Sequence, residues 1–332
     1  TWNMLNRIGK RLWWLLFMIS TNPSAPAAVF KCTDAAGKLT VQDRPCGPTA
    51  VKQDADAGAA ASGRHLMWKV TGPRGTAYMV GSLHFGKPEM FPLPAVMTQA
   101  YEDAQALVVE TDLTALDPAQ MAQIVAAKAM YGDDTTLSRA LTPETWKELN
   151  RVMTTFGASA QLLERQKPWF VSVTLTSLAL RRFGFDEELG IDNHFMKLAY
   201  RKKPIIELET FQQQLDFLDG FSAAEQEEML KETFQDIEKG QAFLADTLRA
   251  WQAGDARKID DLLNEDFRTS SATDRHMYRV LIADRNTAMT DKLNRLLDRG
   301  GNYFVVLGAA HFVGKDGIVE LLKAKGYQVR QD

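Results

Sequence analysis

The sequence predicts an α/β fold in which a mixed central sheet carries two strand–Gly-x-x-His units. A large helical insertion lies between the two units, and a small N-terminal β-hairpin module precedes them. Residues 77–80 and 303–307 are short apolar runs of the kind that forms buried strands. Gly-x-x-His-Phe follows each run, beginning at Gly81 and again at Gly308. Apolar residues between the units recur mostly at helical spacing, which predicts the insertion.

The two histidines of these units, His84 and His311, are expected at one edge of the sheet. A glycine at a strand end permits a sharp turn or a close approach. Open α/β sheets bind their ligands beyond the carboxyl ends of the strands. A single histidine near a strand end is usually structural or merely exposed. The chain has five histidines, and the repeat of the whole pattern around two of them favours a functional site.

The composition is that of an ordinary globular chain. Of its 332 residues, 45% are hydrophobic and 24% are charged, which is close to average usage. The formal net charge is −3 and the isoelectric point is about 6.0, so the chain has no basic field for nucleic acid. We therefore expect a peptide or small-molecule substrate and no nucleic-acid partner.

Residues 1–28 have the organisation of a secretory signal peptide. Arg7, Lys10 and Arg11 form a positive start, residues 12–19 are all apolar, and small residues with prolines follow. Eight apolar residues are too few to span a bilayer, which takes about 20. The segment therefore predicts an exported protein with no membrane span after cleavage.

Residues 29–48 are predicted to form a small hairpin module. Two short strand-like segments flank a turn that contains Gly37. Cys32 and Cys46 are the two cysteines of the chain, and export permits a disulfide between them. Closing such a loop stabilises by about 3 kcal/mol, and a module of this size needs such a link. A zinc site is disfavoured because no further Cys or His lies nearby.

The hairpin module resembles the bacterial envelope module DUF4124, on the run from Val29 to Lys38 and on Gln42-Asp43-Arg44-Pro45. This resemblance implies a periplasmic or envelope location and brings no assigned chemistry. Residues 49–63 are rich in Ala, Gly, Ser and Asp, which predicts a flexible linker. The main domain is therefore predicted to cover residues 64–332.

The first strands of the main domain lead to a histidine and a carboxylate. Residues 65–70 and 76–80 are predicted to form a hairpin whose second strand delivers His84. A helix near residues 95–106 then precedes a strand at 106–109, which ends in Glu110. Glu110 follows the end of its strand, just as His84 follows the end of the earlier strand. We therefore expect the two side chains at the same edge of the sheet.

The helical insertion contributes two more carboxylates. Pro118 and Pro143 stand at first-turn positions of predicted helices, and a capping box begins a long helix at Ser222. Asp192 is predicted in the first turn of a helix, where the helix dipole favours a carboxylate. Glu209 ends a short strand-like segment at residues 203–208.

Arg285 lies beside an apolar stripe of the last long helix. Such an arginine is usually a surface residue with a buried stem. It can instead reach a buried site and hold a carbonyl or carboxylate oxygen with its planar fork. The sequence leaves both possibilities open.

Six short motifs occur in the order found in the TraB/GumN family, which the chain resembles over about residues 64–331. The motifs are Gly81-x-x-His84, Glu110-Thr111-Asp112, Gly190-Ile191-Asp192, Leu208-Glu209-Thr210, Asp284-Arg285-Asn286 and Gly308-x-x-His311-x-x-Gly314. The family includes the Tiki metalloproteases and the pheromone-shutdown protein PrgY. Each motif alone is a weak signal, whereas the ordered set is specific.

The resemblance implies a metal-dependent protease. The two histidine motifs and the glutamate of the family fall on His84, His311 and Glu110, which form a ligand set for a divalent ion. Mn, Co and Zn are plausible ions. Glu209 or Asp192 is a candidate to complete the ligand set or to orient a histidine. The His-Glu-x-x-His motif of many zinc proteases is absent from the sequence.

Two other functions remain open at the level of the sequence. The same pair of histidine motifs resembles the erythromycin esterase and ChaN-like group, which implies a metal-independent hydrolase. His84 is then the general base, Glu110 its partner and Arg285 an oxyanion or carboxylate contact. The third possibility is a non-catalytic envelope protein that binds haem, metal or peptide.

Overall fold

The computed structural model describes residues 63–332, together with the backbone of two short strands near the N-terminus. These strands, β1 (Phe30–Thr33) and β2 (Leu39–Gln42), pair antiparallel with each other. The predicted signal segment, the Cys32–Cys46 disulfide and the linker up to residue 62 lie outside the described residues.

A six-stranded mixed sheet forms the centre of the main domain. Its strands are β3 (Met67–Thr71), β4 (Gly75–Ser82), β5 (Ala106–Val109), β6 (Ile205–Glu207), β7 (Gly301–Gly308) and β8 (Gln328–Gln331). Their order across the sheet is β6-β5-β7-β4-β3-β8. The pairs from β6 to β4 are parallel, and β3 is antiparallel to both of its neighbours. The predicted α/β class with a mixed central sheet is confirmed.

The apolar runs in the sequence form the central strands. All four residues of β5 are buried, as are the last six of β7. A strand covered by helices on both faces shows such a continuous apolar run rather than an alternation. The edge strand β8 instead alternates exposed and half-buried residues, which fits its position at the side of the sheet.

Helices account for most of the remaining described residues. Those before β7 are α1 (Ala95–Asp103), α2 (Pro118–Ala129), α3 (Leu137–Ala140), α4 (Pro143–Thr155), α5 (Pro168–Arg182), α6 (Ile191–Ala199), α7 (Phe211–Asp219), α8 (Ala223–Gln252), α9 (Ala256–Asp260), α10 (Asp266–Thr269), α11 (Ala272–Tyr278) and α12 (Asp284–Arg299). Two more, α13 (Ala309–Phe312) and α14 (Ile318–Ala324), follow β7.

The predicted helix starts are confirmed by their caps. Asp117 and Ser222 form reciprocal capping boxes at the starts of α2 and α8. The Thr142 side chain accepts a hydrogen bond from a backbone N–H at the start of α4. Each cap satisfies a backbone donor that has no partner inside the helix.

The large insertion between the two Gly-x-x-His units has an apolar core of its own. Leu149 of α4, Val171 and Leu175 of α5, and Leu230 of α8 belong to a buried cluster that is distinct from the core around the sheet. Helices α6 and α12 pack against strands of the sheet. These two helices carry Asp192 and Arg285 towards the strand ends.

A π-helical turn precedes Arg285. The segment Arg279–Ala283 has π-helical hydrogen bonds and joins α11 to α12 without a break. A second π-helical turn, Asp261–Glu265, joins α9 to α10. Such turns are rare and often occur at functional sites, and nothing in the sequence pattern predicted either of them.

Within the described part of the chain, no helix is both long enough and apolar enough to cross a membrane.

Candidate functional site

The two Gly-x-x-His units lie side by side. β4 and β7 are neighbouring parallel strands, with Ser82 opposite Gly308 in their register. His84 follows β4 in a loop, and His311 lies in the short helix α13 that begins directly after β7. Both histidines therefore leave the sheet at the same carboxyl edge, as the sequence predicted.

Two glycines bring the loop after β4 into backbone contact with the start of α6. A Cβ atom on Gly190 would lie 2.3 Å from the carbonyl oxygen of His84. A Cβ atom on Gly86 would lie 2.0 Å from the carbonyl oxygen of Leu189. No side chain fits at such distances. The close approach places the first turn of α6, which contains Asp192, directly beside His84.

Asp192 is the carboxylate partner of His84. The Nδ1 atom of His84 lies 2.8 Å from Oδ2 of Asp192. The Ser82 hydroxyl donates to Oδ1 of Asp192 at 2.6 Å and accepts from its backbone N–H at 3.1 Å. The prediction that Glu110 is the partner of His84 is thereby revised, because Oε1 of Glu110 is 3.9 Å from the other ring nitrogen, Nε2.

Burial and charge act in opposite directions on the His84–Asp192 pair. Burial alone lowers the pKa of His84, but the charge of Asp192 and its hydrogen bond outweigh burial and raise that pKa above its ordinary value. Burial alone raises the pKa of Asp192, whereas His84 and Ser82 bring it below the ordinary value. The pair therefore favours a protonated imidazole beside a carboxylate.

Glu110 stands between the two histidines. It follows β5, and its Oε1 accepts the backbone N–H of Gly308 at 2.6 Å. The same oxygen lies 3.9 Å from Nε2 of His84 and 3.8 Å from Nε2 of His311. Burial raises the pKa of Glu110 above its ordinary value, despite the opposing charge of Arg285.

Arg285 binds the oxygen of Glu110 that does not face the histidines, Oε2. Its side chain is 1% exposed, and Nε and Nη2 form a fork on Glu209 at 2.8 and 2.6 Å. Nη2 also donates to Oε2 of Glu110 at 3.0 Å, and Nη1 donates to the carbonyl of Leu281 at 3.0 Å. The sequence left two possibilities open for Arg285, a surface position or a buried one. The structure shows the buried position, with the guanidinium bound to carboxylate oxygens.

His311 is fully buried and is held by an amide. Its Nδ1 lies 2.6 Å from Oδ1 of Asn286. Its Nε2 has no hydrogen-bond partner among the residues that the structure describes. Burial, followed by the charges of Arg285 and His84, lowers the pKa of His311 well below its ordinary value. His311 is therefore neutral, with Nε2 turned towards the carboxylate of Glu110.

The candidate site holds more negative than positive side chains. Glu110, Glu209 and Asp192 are buried carboxylates, and Arg285 is the buried guanidinium that contacts two of them. Three carboxylates, the guanidinium and the favoured imidazolium of His84 leave one negative charge. Two negative charges remain once His84 gives up its proton. Buried charge without compensation is costly, and a divalent cation that displaces this proton would balance the two negative charges.

The donor atoms fit such an ion in type and nearly in spacing. Two imidazole nitrogens and a carboxylate oxygen are common ligands of Zn and related ions. A tetrahedral ion with bonds of about 2.1 Å separates its donor atoms by about 3.4 Å, against the observed 3.8 and 3.9 Å. Within residues 63–332, no group of three or more Asp, Glu, His or Cys side chains already has the spacing of a metal site.

The structure thus brings together the candidate residues from six separate segments of the chain. His84, Glu110 and His311 face one another, Asp192 lies behind His84, and Arg285 and Glu209 lie behind Glu110. Ser82 and Asn286 have no predicted role, although both lie inside the motifs named above. Their position in those motifs was the available signal, because neither residue type indicates such a contact by itself.

Two family models match the chain and confirm both resemblances. The TraB/PrgY/gumN family model matches residues 66–331, and the model described as "Domain of unknown function (DUF4124)" matches residues 15–62. No solved structure matches the chain significantly.

Relatives of this chain occur in bacteria and animals. "Uncharacterized protein YbaP" of Escherichia coli (strain K12) is 28% identical over 279 residues, which cover 80% of this chain and 96% of that protein. The protein of the same name from Shigella flexneri is similar to the same extent. "Metalloprotease TIKI2" of Danio rerio is 22% identical over 313 residues, which cover 80% of this chain and 60% of that protein. The match to the first family model spans the sheet, the helical insertion and every residue of the candidate site, so the chain belongs to the TraB/PrgY/gumN family.

Proposed function

We propose that this protein is an exported hydrolase that cleaves peptides with the help of a divalent metal ion. The observation that carries this proposal is the convergence of two buried imidazoles on one oxygen, Oε1 of Glu110, at 3.8 and 3.9 Å. Similarity to a protein named a metalloprotease supports peptide cleavage. The signal-like N-terminus and the DUF4124 match support export.

In this proposal His84, His311 and Glu110 hold the ion. When bound, a divalent ion polarises a carbonyl oxygen and makes a water molecule more acidic. Asp192 and Asn286 contact the Nδ1 atoms of the two histidines, so each imidazole presents Nε2 to the site. Oε1 of Glu110 is the carboxylate oxygen that faces both Nε2 atoms. An oxygen that holds the ion takes a proton from water only after it leaves the ion, and burial, which raises the pKa of this carboxyl, favours that protonation.

Arg285 has a positioning role in this proposal rather than contact with the substrate. Its nitrogens already donate to Glu209, Glu110 and the carbonyl of Leu281. The earlier expectation of an oxyanion contact would require this buried fork to open. Glu209 is the counter-ion of Arg285, and Nη2 of the arginine donates to both Glu209 and Oε2 of Glu110.

A metal-independent hydrolase is the second candidate. The observation that favours it is the His84–Asp192 pair at 2.8 Å, which retains a proton on one imidazole while His311 stays neutral. A site with one proton donor and one proton acceptor can perform acid–base hydrolysis. In this version His84 is the acid and His311 the base, in place of the predicted role of His84 as the base.

Removal of metal distinguishes the candidates. Protein purified without chelators is incubated with a mixture of peptides, and the products are identified by mass spectrometry. We expect cleavage that stops in the presence of a chelator and returns after addition of Mn, Co or Zn. Cleavage that continues unchanged in chelator would support the metal-independent hydrolase. Ion binding without any cleavage would support a non-catalytic binding protein.

A further inference from the structure

The hydrogen bond between His311 and Asn286 has two possible polarities. A neutral imidazole carries its proton on either Nδ1 or Nε2. The amide of Asn286 presents either an oxygen that accepts or a nitrogen that donates. Both residues are fully buried, so water cannot replace a hydrogen bond that either polarity fails to make. The two polarities therefore differ in free energy. The nitrogen of His311 that carries the proton thus depends on the orientation of the amide.

A backbone carbonyl fixes that orientation. The Nδ2 atom of Asn286 lies 2.8 Å from the carbonyl oxygen of Asp316. A carbonyl oxygen only accepts, so the amide nitrogen must face Asp316 and the amide oxygen must face His311. With an acceptor 2.6 Å away, Nδ1 of His311 must carry the proton. Nε2 then has a lone pair.

The Asp316 carbonyl is itself held in a tight turn. Gly317 donates its N–H to the carbonyl of Gly314 at 3.1 Å. Gly314 has φ +80°, a conformation that favours glycine. A Cβ atom on Gly317 would lie 2.4 Å from the carbonyl of Phe312. The turn that follows α13 therefore leaves the Asp316 carbonyl little freedom to rotate away from the amide.

We propose that Asn286, oriented by the Asp316 carbonyl, is a positioning residue that locks His311 in the Nδ1–H tautomer and directs the lone pair of Nε2 towards Glu110. The assignment of this tautomer depends only on these hydrogen bonds. Its bearing on ion binding rests on the proposed function. His84 has its Nδ1 held by the carboxylate of Asp192, so the two repeated motifs present Nε2 by different means.

The tautomer is measured directly by NMR of full-length protein with ¹⁵N-labelled histidine, freed of metal. We expect His311 to give a protonated Nδ1 and an Nε2 with the strong downfield shift of a nitrogen without a proton. The signal is assigned by its disappearance in His311→Ala. A protonated Nε2, or a mixture of both tautomers in the wild-type protein, would overturn the inference whether or not the protein hydrolyses peptides.

A variant separates positioning from simple structural support. In Asn286→Ala we expect His311 to show a mixture of tautomers and the affinity for a divalent ion to fall about 10- to 100-fold. Thr287→Ala is the matched control, because Thr287 is exposed on the same helix and hydrogen-bonds only within it. An unchanged tautomer in folded Asn286→Ala would contradict the role of Asn286. If that variant fails to fold, the wild-type spectrum still tests whether His311 is locked in the Nδ1–H tautomer.

The outcomes also separate this inference from the proposed function. A locked Nδ1–H tautomer in a protein that binds no ion and cleaves no peptide would refute the hydrolase alone. The opposite tautomer in an active enzyme would refute the role of Asn286 alone.

Discussion

Replacement of Arg285 by methionine is expected to lower the free energy of unfolding by about 3–5 kcal/mol, which is typical for removal of one partner from a buried ion pair. Arg285 is 2% exposed and contacts the carboxylates of both Glu110 and Glu209. Methionine fills similar space but leaves both carboxylates without a cation. Urea denaturation of the metal-free protein measures the effect.

The matched control is Arg151→Met. Arg151 also pairs with two carboxylates, those of Glu148 and Glu238, but its side chain is 49% exposed. Exposed ion pairs typically contribute about 0.2–1 kcal/mol, so this variant should unfold almost as the wild type does. If Arg285→Met costs no more than Arg151→Met, the buried network does not stabilise the fold as described.

A second variant of this network tests the same argument. In the double variant Arg285→Met/Glu209→Gln, one of the two buried negative charges that have lost their cation is removed. We expect part of the lost stability to return. Further destabilisation by Glu209→Gln would show that Arg285 acts mainly through packing.

Replacement of Glu110 by glutamine is expected to reduce hydrolysis by about 100-fold or more, in the range that proton-transfer groups contribute. The fold should persist, with a loss of about 1–3 kcal/mol, because the amide nitrogen of glutamine would face the Nη2 donor of Arg285. Glutamine keeps an oxygen that can accept the N–H of Gly308, but it has no negative charge for an ion and accepts no proton from water. Peptide cleavage and urea denaturation, measured on the same preparations, separate the two effects.

Glu207→Gln is the control for Glu110→Gln. Glu207 ends the neighbouring strand β6, is exposed, and accepts the backbone N–H of Asp112 at 3.1 Å. The same loss of charge there should leave hydrolysis unchanged. Full activity in Glu110→Gln would show that Glu110 takes no part in the reaction. Equal losses of activity in both variants would indicate a general effect of charge.

The sequence was sufficient for the elements that depend on local pattern. The apolar runs that became β5 and β7, and the caps at Asp117, Thr142 and Ser222, all correspond to the observed elements. Local signals of this kind are physical, because a buried strand needs apolar side chains and a helix end needs a partner for its backbone donors.

The partners within the site could not be predicted in the same way. The sequence predicts Glu110 as the partner of His84, because each follows the end of a buried strand, yet Asp192 forms the short contact. That contact depends on the close approach of Gly86 and Gly190 to opposing backbone. Such an approach is a property of tertiary packing, and the sequence pattern does not reveal it.

The position of Arg285 shows the same limit. An arginine beside an apolar stripe has no pattern that separates a surface residue from a buried fork. The π-helical turn Arg279–Ala283 lies directly before α12 and changes which face of the helix its residues present. No periodicity in the sequence indicates that change.

The central claim is that His84, Glu110 and His311 hold a divalent ion, and elemental analysis of protein purified without chelators tests it most directly. Wild-type protein should carry one divalent ion per chain, and so should His65→Ala, a histidine variant outside the site. His84→Ala and His311→Ala should each lose the ion while circular dichroism shows a folded protein. A wild-type protein that takes up no Mn, Co or Zn when these are supplied, or a His311→Ala variant that retains the full amount, would contradict the claim.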